Sequence, residues 1–105
     1  MFRVVDVSGF SMSPTYDSNT ITLATRYPNL FGGIEPKKDI ILFKKNNEYF
    51  VKRVVYSNTK GYFVVGDNVY YSYDSRDFGL VTKEEVLGKL VFPRKAPKNY
   101  PNPEY

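Results

Sequence analysis

The chain has 105 residues, a size at which one domain with one core is common and two separate cores would each be too small. Hydrophobic residues make up 42% of it and charged residues 25%, which is typical of globular proteins and excludes wholesale disorder. It contains no Cys and no His, so disulfides, thiol chemistry, Cys or His metal sites and a His general base are all excluded. Any catalysis would have to use Ser, Thr, Lys, Tyr or carboxylate groups.

The net charge of +4 permits contact with nucleic acid or an anionic membrane surface but requires neither. The longest apolar runs, such as residues 40–43, are far shorter than the ~20 residues that span a bilayer. The sequence therefore predicts a soluble chain. The absence of cysteine favours a cytoplasmic location, and membrane association would require an anchor outside this chain.

Apolar residues recur mainly at every second position and are rich in Val, Ile, Tyr and Phe, which predicts a mainly β fold. The predicted strands cover residues 2–7, 20–25, 39–45, 48–56, 61–65 and 88–92. Asn46 and Asn47 predict a tight hairpin turn between the third and fourth strands. Six short strands favour a compact sandwich or a partly open barrel of mostly antiparallel strands.

One helical turn is predicted at residues 82–87, with Thr82 and Glu85 as a capping box and Gly88 closing the end. After the last predicted strand the chain carries four prolines, which remove backbone donors and leave little to bury. We therefore predict one folded domain over residues 1–92 and a proline-rich C-terminal tail over residues 93–105.

Three separated segments carry groups with catalytic potential. In residues 7–15 a strand runs into Gly9 and then Ser11, a break that can present one hydroxyl near free backbone N–H groups. Residues 50–55 place Lys52 inside an apolar strand. Residues 66–79 form a polar loop dense in turn formers and hydroxyls.

Each segment alone also has a purely structural interpretation. The first is a common kind of turn, and the third could join strands through Asx turns, with Asp74 and Arg76 as a weak surface ion pair. In the strand, alternation places Lys52 on one face and Arg53 on the other. Either face could be the apolar one, but both cannot be fully buried unless each charge has a partner.

Taken together and in this order, the three segments resemble the catalytic boxes of the type I signal peptidase family, serine peptidases that use a Ser/Lys dyad. Residues 11–15 match the nucleophile box, 39–43 the strand after it, 52–53 the lysine box and 66–76 the last box. The resemblance implies a serine endopeptidase that removes a signal peptide or a short N-terminal propeptide after small residues. It makes residues 1–92 the catalytic domain, and it implies no metal and no other cofactor.

The resemblance also implies a role for individual residues. Ser11 would be the nucleophile, with its backbone N–H in the oxyanion hole, and Lys52 would be the general base. Ser72 would hydrogen-bond and orient the Lys52 amine, while Asp74 and Arg76 would form an ion pair that braces the loop. A lysine acts as a base only when neutral, and lowering its pKa by ~3 units from ~10.4 destabilises the ammonium by ~4 kcal/mol. Burial of the amine against apolar neighbours can supply that.

The remaining implied positions concern the substrate. Gly9 stands where some family members carry a hydroxyl that donates to the oxyanion, which leaves more of that work to the backbone here. A precursor protein or propeptide would bind in an extended conformation by strand addition, with small side chains at the first and third positions before the cut. The matched pocket positions are Val7, Met12, Tyr16, Phe50 and Val51. Tyr16 is bulkier than the aliphatic residue often found there and would narrow the pocket.

Compared with typical members, the chain lacks N-terminal transmembrane segments and a large inserted β-domain. It is similar in this respect to small propeptide maturation proteases, unless it works with a membrane-anchored partner. Two other functions fit parts of the sequence. A basic, aromatic-rich β-barrel would suit single-stranded nucleic acid, but this leaves the three boxes unexplained. A self-cleaving repressor domain shares the dyad, but too few residues precede Ser11 for a cleavage segment.

Overall fold

The computed structural model describes residues 2–7, 11–13, 15, 20–25, 33–68 and 72–91. These residues contain six strands, namely β1 (Phe2–Val7), β2 (Thr20–Thr25), β3 (Ile40–Lys45), β4 (Glu48–Asn58), β5 (Gly61–Val65) and β6 (Val86–Leu90). They also contain a short helix α1 (Ser75–Phe78) and a 3₁₀ turn (Lys83–Glu85). Within these ranges, none of the helical segments has the length and hydropathy needed to cross a membrane. The predicted tail lies outside the described residues.

The six strands form one antiparallel sheet in the order β1-β2-β6-β3-β4-β5. The predicted mainly β fold of short antiparallel strands is confirmed, and its strands form one open sheet. The last strand, β6, inserts between β2 and β3, so it joins the N-terminal hairpin to the rest of the sheet. A Cβ at Gly88 would overlap the Thr25 carbonyl, so glycine is required where β6 passes β2.

The central strand β3 is buried on both sides, because its alternate side chains enter two different apolar clusters. The first cluster consists of Val5, Val7, Met12, Ala24, Ile40, Leu42 and Leu90. The second consists of Ile41, Phe43, Val54, Val64 and Val81. This explains why residues 40–43 are continuously apolar, since a strand buried on both faces has no polar side.

The strand boundaries agree with prediction for β1, β2 and β5 and differ slightly for the others. β3 begins one residue later than predicted, and the carboxylate of Asp39 accepts the backbone N–H of Glu35 at 2.7 Å. β4 continues two residues further than predicted, to Asn58, which pairs with Gly61. The predicted hairpin turn is confirmed: Asn46 and Asn47 have φ angles of 53° and 66°, the left-handed region that asparagine tolerates.

The helical predictions need correction. The turn predicted over residues 82–87 is shorter, although its capping box between Thr82 and Glu85 is confirmed. Val86 is already extended and pairs with Phe43, so β6 starts two residues before the predicted strand and Gly88 lies inside it. Residues 66–79 were predicted as a polar loop, and this segment contains the short helix α1.

A buried ion pair ties β4 to the loop after β5. Arg53 donates from Nε and Nη2 to the two carboxylate oxygens of Asp67, at 2.7 and 2.8 Å, and neither side chain is exposed to solvent. Nη1 of Arg53 donates to the Lys38 carbonyl at 2.6 Å, and the Thr15 hydroxyl donates to Asp67. The ion pair therefore joins β4 to the segment before β3 and to the loop after β5. Its charged groups have further hydrogen-bond partners besides each other.

We expect the Asp67→Asn substitution to lower the free energy of unfolding by about 3 kcal/mol, because it leaves the Arg53 charge buried without its counter-charge. Urea unfolding followed by circular dichroism measures this. Lys38→Gln is the matched control, since Lys38 pairs with Glu35 through side chains that are 65% and 50% exposed. Exposed pairs contribute less than about 1 kcal/mol. Equal effects of the two substitutions would contradict the assigned importance of the buried pair.

Candidate active site

The structure brings Ser11 and Lys52 into direct contact. Ser11 lies in the turn after β1, and Lys52 lies in β4 opposite Ile41 of β3. The Lys52 Nζ is 2.6 Å from the Ser11 Oγ. The lysine side chain is buried, with 4% of the residue exposed, whereas Ser11 is half-buried. A hydroxyl at the rim of the fold therefore touches an amine inside it.

Burial lowers the pKa of Lys52 from 10.5 to about 8, because the ammonium loses much of its hydration. The negative charge of Asp74 acts in the opposite direction and raises this pKa, while the positive charge of Arg76 lowers it. Val54, two residues along β4 on the same face, is fully buried. With a pKa of about 8, roughly one amine in ten is neutral at pH 7.

Asp74 and Arg76 form a bidentate ion pair beside the lysine, with Nε to Oδ1 and Nη2 to Oδ2 both at 2.8 Å. Asp74 also caps α1 and accepts the Gly66 backbone N–H at 3.1 Å. Its burial opposes ionisation, but the hydrogen bonds from Arg76, Ser72 and Gly66 outweigh that effect and hold the pKa of Asp74 below its usual value. Asp74 is therefore ionised at neutral pH, and its charge is largely taken up by Arg76.

The described hydrogen bonds of Ser72 are with Gly66 and Asp74. Its hydroxyl accepts the Gly66 backbone N–H at 3.1 Å and donates to Asp74. In the part of the chain that the structure describes, Lys52 makes a hydrogen bond to Ser11 but not to Ser72. The orienting role implied for Ser72 stays a prediction, because a hydroxyl that donates to Asp74 can still accept a hydrogen bond from the Lys52 amine.

The loop after β5 packs directly on the turn that carries Ser11. The Asn68 backbone N–H donates to the Ser11 carbonyl at 2.8 Å, and the Asp67 N–H points to the Met12 sulfur at 3.4 Å. A Cβ on Gly66 would lie 2.5 Å from the Ser11 carbonyl oxygen and would also overlap the side chain of Ser72. Glycine is therefore needed at this position for the two segments to meet.

No role was predicted for Arg53, Asp67 and Asn68, although their contacts link β4, the loop after β5 and the turn that carries Ser11. The signal that could have revealed their role is their position inside the lysine box and the last box. Among the predicted substrate positions, Val7 and Met12 are buried in the first apolar cluster, and Val51 packs against it. Phe50 packs instead on the second cluster, on the other face of β4.

Gly9 and Tyr16 lie outside the described residues, so the structure places neither of them. Over the described ranges no group of three or more acidic side chains is arranged to hold a metal ion. The arrangement that the structure does show is a hydroxyl in contact with an amine whose pKa is lowered toward neutrality. In its neutral form that amine can accept the proton of the hydroxyl, and this transfer activates a serine for nucleophilic attack.

Comparison with known proteins gives two similarities. A family model described as signal peptidase, peptidase S26, matches residues 58–94, a range that includes β5, α1 and β6. The chain is also 32% identical over 116 residues to the mitochondrial inner membrane protease subunit 2 of Saccharomyces cerevisiae. That alignment covers 85% of this chain and 66% of the length of the relative. Both similarities indicate the same group of proteins, and the chain therefore belongs to the signal peptidase family, peptidase S26.

Proposed function

We propose that this chain is a serine endopeptidase in which Ser11 is the nucleophile and Lys52 the general base. The observation that carries the proposal is the 2.6 Å contact between the Ser11 hydroxyl and a buried lysine amine. No histidine is present in the sequence to serve as an alternative base. Membership of the signal peptidase family supports the peptidase activity.

In the proposed reaction the neutral Lys52 amine takes the hydroxyl proton as Ser11 Oγ attacks the carbonyl carbon of the peptide bond. The resulting oxyanion accepts hydrogen bonds from backbone N–H groups, including that of Ser11. The lysine then gives its proton to the departing amine, which leaves an acyl ester on Ser11. Water attacks this ester with Lys52 accepting its proton, and the lysine then gives that proton to the departing Ser11 oxygen, which releases the new carboxyl terminus and restores the enzyme.

The proposed substrate is a precursor protein or propeptide bound in an extended conformation, with a signal peptide or a short N-terminal propeptide removed after small residues. The burial of Val7 and Met12 in the first apolar cluster supports small side chains at the cut, because buried positions leave little room beside them. The relative is named as a subunit of an inner membrane protease. On the basis of this likeness, the proposed partners include a membrane-anchored protein.

Ser72, Asp74 and Arg76 are assigned supporting roles in this proposal. Arg76 engages both carboxylate oxygens of Asp74, which keeps that carboxylate from capturing the Lys52 ammonium. Ser72 fixes the carboxylate through one further hydrogen bond. The three residues together therefore limit how far Asp74 can raise the pKa of the catalytic amine.

The nucleic-acid alternative is not favoured by the contacts of the basic side chains. Lys52 and Arg53 are buried, and Lys45 is held by Glu85 at 3.1 Å. These three cations cannot face a phosphate backbone as the groove of a single-strand binding protein requires. The family membership points to a peptidase instead.

We expect Ser11→Ala and Lys52→Arg each to lower kcat on a cleavable propeptide by at least about a thousandfold while the protein stays folded. Arginine cannot replace lysine at position 52, because its guanidinium stays protonated and cannot accept the serine proton. Lys60→Arg, on the exposed turn after β4, is the matched control and should cleave at the parental rate. Substantial activity in a folded Lys52→Arg protein would remove Lys52 from the mechanism.

The pH profile of kcat/KM should report the lowered pKa of Lys52. Only the neutral amine is active, so the rate should rise about tenfold per pH unit on the acidic side and level off above pH 8. Arg76→Gln removes a positive charge that lowers this pKa and frees the Asp74 charge that raises it, so the profile should move to higher pH. Arg3→Gln, on β1, should leave it unmoved. A profile that stays flat from pH 6 to 9 would contradict the assignment.

We expect Ser72→Ala to lower kcat by tenfold to a few hundredfold, equivalent to about 1–3 kcal/mol, because one hydrogen bond to Asp74 is lost while the amine remains. The measurement is kcat on the same propeptide at a fixed pH above 8, where loss of rate reflects geometry. Ser57→Ala, at an exposed position of β4, is the matched control. An unchanged rate for Ser72→Ala would exclude a role for this hydroxyl in supporting the site.

A further inference from the structure

The two faces of the first strand, β1, differ in their exposure to solvent. Val5 and Val7 are buried in the first apolar cluster. Phe2, Val4 and Asp6 point to the opposite face of the strand and are exposed. The strand lies at one end of the sheet, next to β2, and no other strand of the described residues pairs with its outer side. That side is therefore an edge to which an extended peptide can add.

The exposed face of β1 carries one charge, that of Asp6, beside apolar side chains. Its cross-strand neighbours on β2 are Ile21, opposite Asp6, and Leu23, opposite Val4. Val4 and Ile21 are 69% and 71% exposed, so aliphatic surface lies open beside the carboxylate. Over the described ranges no basic side chain forms an ion pair with Asp6. Lysine and arginine fit such a surface, because their apolar stems cover aliphatic groups while their cationic ends reach a carboxylate.

The position of Asp6 relates it to the proposed cut. The next residue, Val7, is one of the predicted pocket positions for small side chains and lies in the first cluster. The turn that carries Ser11 follows directly on β1. In the proposed binding mode, the residues before the cut run beside β1, with their first and third side chains facing the first cluster. Successive side chains of an extended peptide point to opposite faces, so the second side chain before the cut faces the side of Asp6.

We propose that Asp6 is a specificity-determining residue, which favours a lysine or an arginine at the second position before the cleaved bond. On adjacent strands the Cβ atoms of directly opposite residues are about 5 Å apart, and those of diagonal neighbours about 7–8 Å. A lysine or arginine side chain spans either distance, so the ion pair forms whether the two residues are opposite or diagonal. The inference rests on the proposed function, which supplies the cut and the direction of the bound peptide.

The first test compares three peptides that have Ala at the first and third positions before the cut and Lys, Gln or Glu at the second. We expect kcat/KM to fall in the order Lys, Gln, Glu, with about a fivefold difference between Lys and Gln, the upper range for a cross-strand charge pair. The difference should shrink at high salt, because exposed charges are screened. Equal kcat/KM values for the Lys and Gln peptides with the parent protein would overturn the inference.

Charge reversal separates a contact with Asp6 from an effect of the protein's overall charge. Asp6→Asn should bring the Lys-to-Gln ratio close to one, and Asp6→Lys should make the Glu peptide the best of the three. Glu84→Lys is the matched control, because Glu84 is also an exposed acidic residue but lies in the 3₁₀ turn before β6. It changes the net charge by the same amount and should keep the parental order. An Asp6→Asn protein with the parental ratio, or a Glu84→Lys protein that prefers Glu, would overturn the assignment.

A fourth peptide checks the position of the basic residue along the substrate. It has Gln at the second position before the cut and Lys at the first position after it. By alternation this lysine faces the same side of the sheet as Asp6, but it lies beyond the cut. We expect its kcat/KM to stay close to that of the Gln peptide. An advantage as large as that of the Lys peptide would contradict the assignment to the second position before the cut.

Binding to the Ser11→Ala protein separates this inference from the proposed function. Fluorescence anisotropy of labelled peptides gives their dissociation constants without cleavage, and we expect the Lys peptide to bind about fivefold more tightly than the Gln peptide. Cleavage by the parent without any difference in binding or kcat/KM would overturn the role of Asp6 and leave the peptidase standing. Preferential binding that Asp6→Asn abolishes, in a protein whose parent cleaves no peptide, would support the contact with Asp6 and remove the proposed function.

Discussion

The burial of one lysine amine is the constraint on which the site depends. Lys52 lies in β4 opposite Ile41 and touches Ser11, and the loss of hydration brings its pKa to about 8. A difference of this size from the ordinary value corresponds to roughly 3 kcal/mol of destabilisation at neutral pH, where the unfolded chain would keep the lysine protonated in water. That unfavourable contribution decreases as the pH rises from about 8 toward 10.5. The rest of the sheet must offset it, chiefly through the apolar clusters on its two faces.

Neighbouring charges are treated in opposite ways in this strand. Arg53 has a bidentate carboxylate partner and a backbone carbonyl, so its charge is stabilised inside the fold. Lys52 has a neutral hydroxyl as its hydrogen-bond partner among the described residues, and Asp74, the carboxylate whose charge raises the pKa of Lys52, is paired with Arg76. If Asp74 were free to pair with the ammonium, the pKa of Lys52 would rise. The amine would then stay protonated and could not act as a base. Arg76 therefore shapes the site through the carboxylate that it withholds from Lys52.

Much of the fold could be predicted because local chemistry and tertiary structure agree. The Asn46–Asn47 turn is an example, since both residues tolerate the left-handed backbone that a tight hairpin needs. The start of β6 could not be predicted, because pairing of Val86 with Phe43 overrides the helical continuation that the capping box suggests. The short helix α1 was missed because an aspartate at its N-cap is equally common in turns.

The site shows a similar division. The order of the motifs predicted which serine and which lysine lie together. The hydrogen-bond partners of Ser72, however, depend on how its hydroxyl is rotated between its neighbours. Residue spacing carries no information about such a rotation. The alternation of side chains along β4 also could not predict that both Lys52 and Arg53 are buried. Their burial depends on whether other residues pack on both faces of the strand.

The topology explains why the two sides of the site differ. Ser11 follows β1, a strand at the edge of the sheet, whereas Lys52 lies in β4. The strands β2, β6 and β3 lie between them. The contact between them is made possible by the loop after β5, where Gly66 and Asn68 meet the Ser11 backbone. The first apolar cluster, which is aliphatic apart from Met12, then lies to one side of this contact. On the other side stand the rings of Phe43, Phe50 and Phe78. The contact between Ser11 and Lys52 therefore has an aliphatic cluster on one side and aromatic rings on the other, an asymmetry that the pair alone does not have.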